Sequence, residues 1–106
     1  MHRVLITGAG GGIGRSLRET LRGAYPVLRL SDRVPLGAAR DGEEIDCTEL
    51  SDAAAVERMV AGVDGIIHLG GISGESEWAA ILQSNIIGTY NLFEAARRAR
   101  VERIIV

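Results

Sequence analysis

Apolar residues recur along this chain with two periods, and the periods alternate. Residues 3–7 are apolar and β-branched almost without interruption, as a strand buried on both faces should be. From 13 to 22 the apolar positions Ile13, Leu17 and Leu21 return every four residues and form one helix face, while Arg15, Arg18, Glu19 and Arg22 cover the other. Gly23 is placed to cap that helix, and Pro26 comes three residues later. Residues 27–30 predict a second strand. Residues 33–43 contain Pro35, Gly37 and Gly42 and no sustained period, so they predict a loop crossover long enough to return the chain to a parallel strand. A short third strand is expected over 44–46. Ser51 is placed as the N-cap, with Asp52 in the first turn, of a helix that reaches Ala61; Val56, Met59 and Val60 are its buried side and Gly62 ends it.

The run 63–69 predicts a fourth strand closed by Gly70-Gly71. The longest helix is expected over 78–100, with Leu82, Asn85, Ile86, Thr89, Phe93 and Ala96 facing inward. Gly88 interrupts it at about 1 kcal/mol relative to alanine, which implies a close neighbour at that point. Residues 103–106 open a fifth strand. Right-handed crossovers then give an α/β fold: a three-layer arrangement around a parallel sheet of order 3-2-1-4-5, with a crevice at the carboxyl ends of strands one and four.

Composition narrows the picture. The 106 residues predict one domain, 1–106, with a small core. A net charge of −2 gives no reason to expect nucleic acid or an anionic membrane as a partner. Cys47 is the single cysteine, so no internal disulfide is possible, and no cysteine–histidine group has metal-ligand spacing. The chain is expected to enter its first strand at once, which predicts no signal peptide, and no apolar run is long enough to span a bilayer. The expected location is the cytoplasm. All twelve basic residues are arginine, and there is no lysine.

The candidate chemistry lies between the first strand and the first helix. Gly8, Gly11 and Gly14 are spaced three apart. Gly8 permits a sharp turn off the strand, Gly11 lets backbone approach a diphosphate closely, and Gly14 lets the helix sit tight on the sheet. The helix start offers unpaired N–H groups and the positive end of its dipole to an anion. The triplet alone is also the pattern of a flexible loop. Asp32, an acid where the second strand should end, completes the pattern of a dinucleotide-binding βαβ unit: it is placed to accept hydrogen bonds from the adenosine ribose and to repel a 2′-phosphate, which selects NAD over NADP. Arg33 beside it works the other way, since an arginine there can pair with that phosphate.

Thr7-Gly8-Ala9-Gly10-Gly11-Gly12-Ile13-Gly14 resembles the fingerprint of the extended short-chain dehydrogenase/reductase superfamily, in its NAD-dependent epimerase/dehydratase group. Asp46-Cys47 resembles that group's acidic pair at the adenine, His68-Leu69-Gly70-Gly71 its strand-four motif, and Asn85-Ile86-Ile87-Gly88-Thr89-Tyr90-Asn91 its helix motif. The run from Leu69 to Gly88 is more narrowly similar to the uronate dehydrogenases, which oxidise C1 of galacturonate or glucuronate with NAD to the aldarolactone.

The resemblance implies a Rossmann-type domain that holds NAD through Gly8, Gly11, Gly12, Ile13, Gly14, Asp32, Arg33, Asp46, Cys47, Leu69, Gly70, Gly71 and Asn85. Ser73 would contact a hexuronic acid substrate, and Asn85 would support the catalytic geometry. Asp46 can equally cap the turn after it, and Cys47 reads as a small buried apolar residue. His68 reads as a packed strand histidine; Trp78 and Asn91 read as structural. The superfamily's Tyr-x-x-x-Lys pair has no place here: Tyr25 is followed four residues on by Arg29 and Tyr90 by Glu94. The chain therefore reads as the cofactor-binding half of an oxidoreductase, truncated after strand five, with no catalytic residue of its own. A nucleotide-sugar epimerase or dehydratase, or a non-catalytic NAD-binding module, fits the same residues. The open apolar edge of strand five predicts self-association into a homo-oligomer.

Overall fold

The computed structural model describes residues 1–70 and 77–106, with Ser84 in its backbone only. Five parallel strands, β1 (Arg3–Thr7), β2 (Val27–Ser31), β3 (Glu43–Ile45), β4 (Gly65–His68) and β5 (Arg103–Ile105), form one sheet in the order β3-β2-β1-β4-β5. The expected order is observed. The central strand pairs Val4 with Leu28 and with Gly65, and Thr7 with Ser31 and with His68. That register brings the carboxyl ends of β1, β2 and β4 to one level.

Side chains alternate across β1 and feed two core layers. Val4 and Ile6 join Leu28, Leu30 and Ala9 on one face, where α1 (Gly12–Thr20) and the turn after it contribute Leu17 and Leu21. Leu5 and Ile66 meet Val56, Met59 and Val60 of α2 (Ala53–Val60) on the other, together with Leu92, Ala95 and Ala96 of α4 (Gly88–Ala99). At the amino edge, Asp64 accepts from the His2 and Arg3 N–H groups, both at 2.8 Å. The Glu44 carboxylate sits between Arg3 and Arg29. Arg29 in turn donates to the Met59 and Ala61 carbonyls and closes the C-terminus of α2.

Several expectations are corrected. The N-cap of α2 is Asp52, whose carboxylate accepts from Ala55 N–H at 3.1 Å, and not Ser51; the helix starts one residue later than expected, and a carboxylate suits the positive helix end as well as a hydroxyl does. Helix α1 ends at Thr20 with Leu21 as its C-cap, and Gly23 takes its positive φ in the turn beyond. Ile13 does not join Leu17 and Leu21 in the core; it stands 68 % exposed at the helix start, beyond the edge of the sheet. Cys47 is exposed rather than buried, because β3 ends at Ile45 on the sheet edge and no helix covers the chain just past it.

The long helix is interrupted. Between α3 (Trp78–Ile81) and α4 lies a π-helical stretch, Leu82–Ile87. The inward face of α4 is set by its packing on α2 and the sheet: Gly88, Leu92, Ala95 and Ala96 are buried there, while Ile86 and Phe93 are exposed. Trp78 is exposed as well. The close neighbour expected at Gly88 is Leu50: a side chain on Gly88 would begin 2.7 Å from the Leu50 Cβ, and Asn91 Nδ2 donates to the Leu50 carbonyl at 2.8 Å.

Candidate dinucleotide site

A cleft of about 410 Å³ opens at the carboxyl ends of the strands. Thr7 and Gly8 from β1, Ser31, Asp32 and Arg33 from β2, and His68, Leu69 and Gly70 from β4 form its base. Gly11 lines it from the α1 side, Thr48, Glu49 and Leu50 from beyond β3, and Asn85, Thr89 and Val106 from the far wall.

The glycines divide by their surroundings. Gly8 has φ +70°, and a side chain there would begin 2.5 Å from the Leu69 carbonyl carbon, so both the turn and the seam between β1 and β4 require glycine. Gly11 is different. Among the described residues, its one near neighbour would be the Gly8 oxygen at 3.5 Å, and a side chain on Gly12 would meet nothing within 4 Å. The space over the start of α1 is thus open. Gly11 is also the helix N-cap and brings no side-chain cap, and no acidic residue stands in the first turn. The first-turn N–H groups and the helix dipole are left for an anion, as a diphosphate requires.

Asp32 stands across this opening. Its Oδ2 accepts from Gly10 N–H at 2.9 Å, and its Oδ1 from Arg33 N–H at 2.7 Å. A carboxylate has about four acceptor directions, so these bonds orient the group and still leave room for a ligand hydroxyl. Arg33 is exposed at the same rim. Asp46 accepts from the Thr48 hydroxyl at 2.7 Å, the turn-capping arrangement, and neither Asp46 nor Cys47 lies in the cleft lining; Thr48, Glu49 and Leu50 do. Gly12, Ile13 and Gly14 lie in the first turn of α1, beside the lining and not in it. Leu69, Gly70 and Asn85 are brought together in the cleft. Gly71 and Ser73 lie outside the described residues.

Sequence reasoning gives Thr7 no role, yet it organises the base of the cleft. Its Oγ1 accepts from Leu69 N–H at 3.1 Å and Gly70 N–H at 3.0 Å and lies 2.6 Å from Nδ1 of His68. With two donors on its lone pairs, the hydroxyl directs its one proton to Nδ1, so His68 carries its own proton on Nε2. Burial pushes the imidazole pKa down and keeps it neutral. The readable signal is a hydroxyl residue ending an otherwise apolar strand beside a glycine turn. Ser31 likewise ends its strand and lines the cleft. Among the described residues, no group of three or more His, Cys, Asp or Glu is placed to hold a metal, and no helix is long and apolar enough to cross a membrane.

Strand order, the glycine turn into α1 and the acid at the end of β2 define a Rossmann-type dinucleotide-binding domain. The chain matches the NAD dependent epimerase/dehydratase family over residues 4–106, and it belongs to that family. It is 53% identical over 105 residues to the uronate dehydrogenase of Agrobacterium fabrum, covering 99% of this chain and 40% of that protein. It is 49% identical over 105 residues to the uronate dehydrogenase of Pseudomonas syringae pv. tomato, covering 98% of this chain and 38% of that one. The crystal structure of an Agrobacterium tumefaciens uronate dehydrogenase, a tyrosine-to-alanine mutant complexed with NAD, superposes with a TM-score of 0.95 at 54% identity, over 98% of this chain and 39% of that one. The chain thus spans about two fifths of the length of these relatives.

Proposed function

We propose that residues 1–106 are the NAD-binding part of a uronate dehydrogenase, which oxidises C1 of galacturonate or glucuronate to the aldarolactone. The observation that carries this reading is the placement of the open, uncapped start of α1 and the Asp32 carboxylate around one cleft. Identity of about half to uronate dehydrogenases along nearly the whole chain supports the substrate class.

NAD, when bound, supplies the hydride acceptor. The chain's own residues hold it. The N–H groups at the start of α1, with Gly11, Gly12, Ile13 and Gly14, take the diphosphate; Asp32 takes the adenosine ribose hydroxyls, with Arg33 at its edge. Thr48 and Glu49 border the adenine end, taking over from Asp46 and Cys47, and Leu69, Gly70 and Gly71 give clearance on the nicotinamide side. Ile13 covers the diphosphate with its exposed side chain. Ser73 meets the sugar acid, and Asn85 supports the reacting end from the cleft wall.

The tyrosine–lysine pair that would take the proton of the sugar hydroxyl is not in this sequence. No lysine exists in the sequence; Tyr90 is exposed, and Tyr25 packs against the α1-side core layer, away from the cleft. In this reading the tyrosine and lysine lie outside these residues, and the protein works in the cytoplasm as a homo-oligomer. The test is to titrate the 106-residue chain with NAD by calorimetry, measure its mass by light scattering, and assay NAD reduction with galacturonate and with glucuronate. Binding without turnover is the expected result. A monomer that oxidises either sugar acid would overturn the reading.

A further inference from the structure

The connection from β2 to β3 has no helix, yet it leads directly away from Asp32. Something else must fix its path, and Arg18 of α1 does so. Its Nε and Nη2 bind the two oxygens of Glu43 at 2.9 and 2.7 Å. Its Nη1 donates to the Leu36 carbonyl at 2.9 Å, and Nη2 also to the Ala38 carbonyl at 3.1 Å. Glu43 is 1% exposed in its side chain and is held from its other side by Arg40 N–H at 2.9 Å. One planar guanidinium thus makes four bonds, a bidentate pair to Glu43 and one to each of two crossover carbonyls, where a lysine ammonium has three donors and no fork.

The tie reaches the cofactor end through packing. A side chain on Gly10 would begin 2.8 Å from Val34 Cγ2, 3.0 Å from Asp32 Oδ2 and 3.3 Å from Leu36 Cδ2. The segment that Arg18 grips at Leu36 is therefore the segment pressed on the glycine turn, where Gly10 N–H donates to Asp32. Release of the grip frees Val34 and Leu36 to lift, and the Asp32 carboxylate loses the frame that aims it.

We propose that Arg18, paired with Glu43, is a positioning residue for the ribose acceptor Asp32, and so sets adenosine-end affinity without touching the dinucleotide. The inference rests on the reading of the cleft as an NAD site. A double-mutant cycle tests it: NAD affinity is measured by calorimetry for the wild type, R18Q, D32A and R18Q/D32A. If Arg18 acts through Asp32, R18Q weakens NAD about tenfold, R18K recovers only part of that, and the double mutant binds no more weakly than D32A alone. Losses that multiply, or an unchanged R18Q, overturn the inference. Wild type that fails to bind NAD sinks the parent reading instead, and the inference with it. Should R18Q not fold, E43Q enters the same cycle from the other side of the pair: a loss absorbed into that of D32A supports the inference, and a loss that multiplies overturns it.

Discussion

The carbonyl oxygen of Gly8 occupies the place where a side chain on Gly14 would begin, and the Ala9 Cα lies 2.7 Å from the same point. The first turn of α1 is locked against the exit of β1 by the absence of one methyl group. Gly14→Ala should therefore destabilise the fold by about 1–3 kcal/mol through overpacking. Gly11→Val, where the space is open, should leave the thermal midpoint nearly unchanged and abolish NAD binding. Thermal unfolding and calorimetry on both variants check the pair; a Gly11→Val protein that unfolds would make that glycine structural first.

Asp32→Ala should weaken NAD more than NADP, since it removes the ribose acceptor and the repulsion of a 2′-phosphate together. Part of the loss will be common to both cofactors, because Gly10 and Arg33 N–H groups lose their acceptor too. The informative number is the change in the ratio of the two dissociation constants. Equal losses would remove Asp32 from the ribose.

Thr7→Val keeps the shape of the side chain but leaves the Gly70 N–H group and His68 Nδ1 without the hydroxyl, while Leu69 N–H keeps the Thr7 backbone carbonyl. The expected cost is about 1–3 kcal/mol, read from urea unfolding. Thr7→Ser should restore most of it. If valine is neutral, the hydroxyl is not the organiser of the cleft base.

Stability should fall in two stages on acidification. Burial lowers the His68 pKa from its ordinary 6.5, so the unfolded chain takes up that proton first; the contribution is complete above pH 6.5 and declines below it. The Arg18 guanidinium holds Glu43 down at about 2 against an ordinary 4.5, so its contribution is complete above 4.5 and is lost as pH falls toward 2. Urea midpoints measured from pH 7 to 2 should show both stages, with the lower one diminished in Glu43→Gln but not abolished, since Arg97 holds Glu94 down at about 2 as well. An undiminished lower stage in that variant would assign it to other carboxylates.

Features that depend on local period and on glycine are legible in the sequence. The apolar run of β1, the buried trio Val56, Met59 and Val60, and the helix-free crossover all arise from the residues themselves. The close approach at Gly88 is legible for the same reason, although its partner Leu50 is not. Features set by distant chain are hidden. The spacing over 78–100 favours Phe93 as an inward residue, but α4 packs Gly88, Leu92, Ala95 and Ala96 on α2 and the sheet and leaves Phe93 exposed. A small apolar residue such as Cys47 suggests burial, but cover depends on the elements that flank the sheet edge. Thr7 shows the same limit, since its partners lie more than sixty residues away.

The parallel register also has a consequence in time. Thr7 and His68 are 61 positions apart, and every pairing in the sheet is between strands joined by a crossover rather than a hairpin. As the chain leaves the ribosome, β1 can meet β2 and then β3 while β4 is still unmade. Until β4 arrives, β1 lacks its neighbour along that side, and the Thr7 hydroxyl lacks the Leu69, Gly70 and His68 groups that it meets in the finished fold. The cleft is completed only when His68, Leu69 and Gly70 are in place, so the site is built from early and late parts of the chain and closes late.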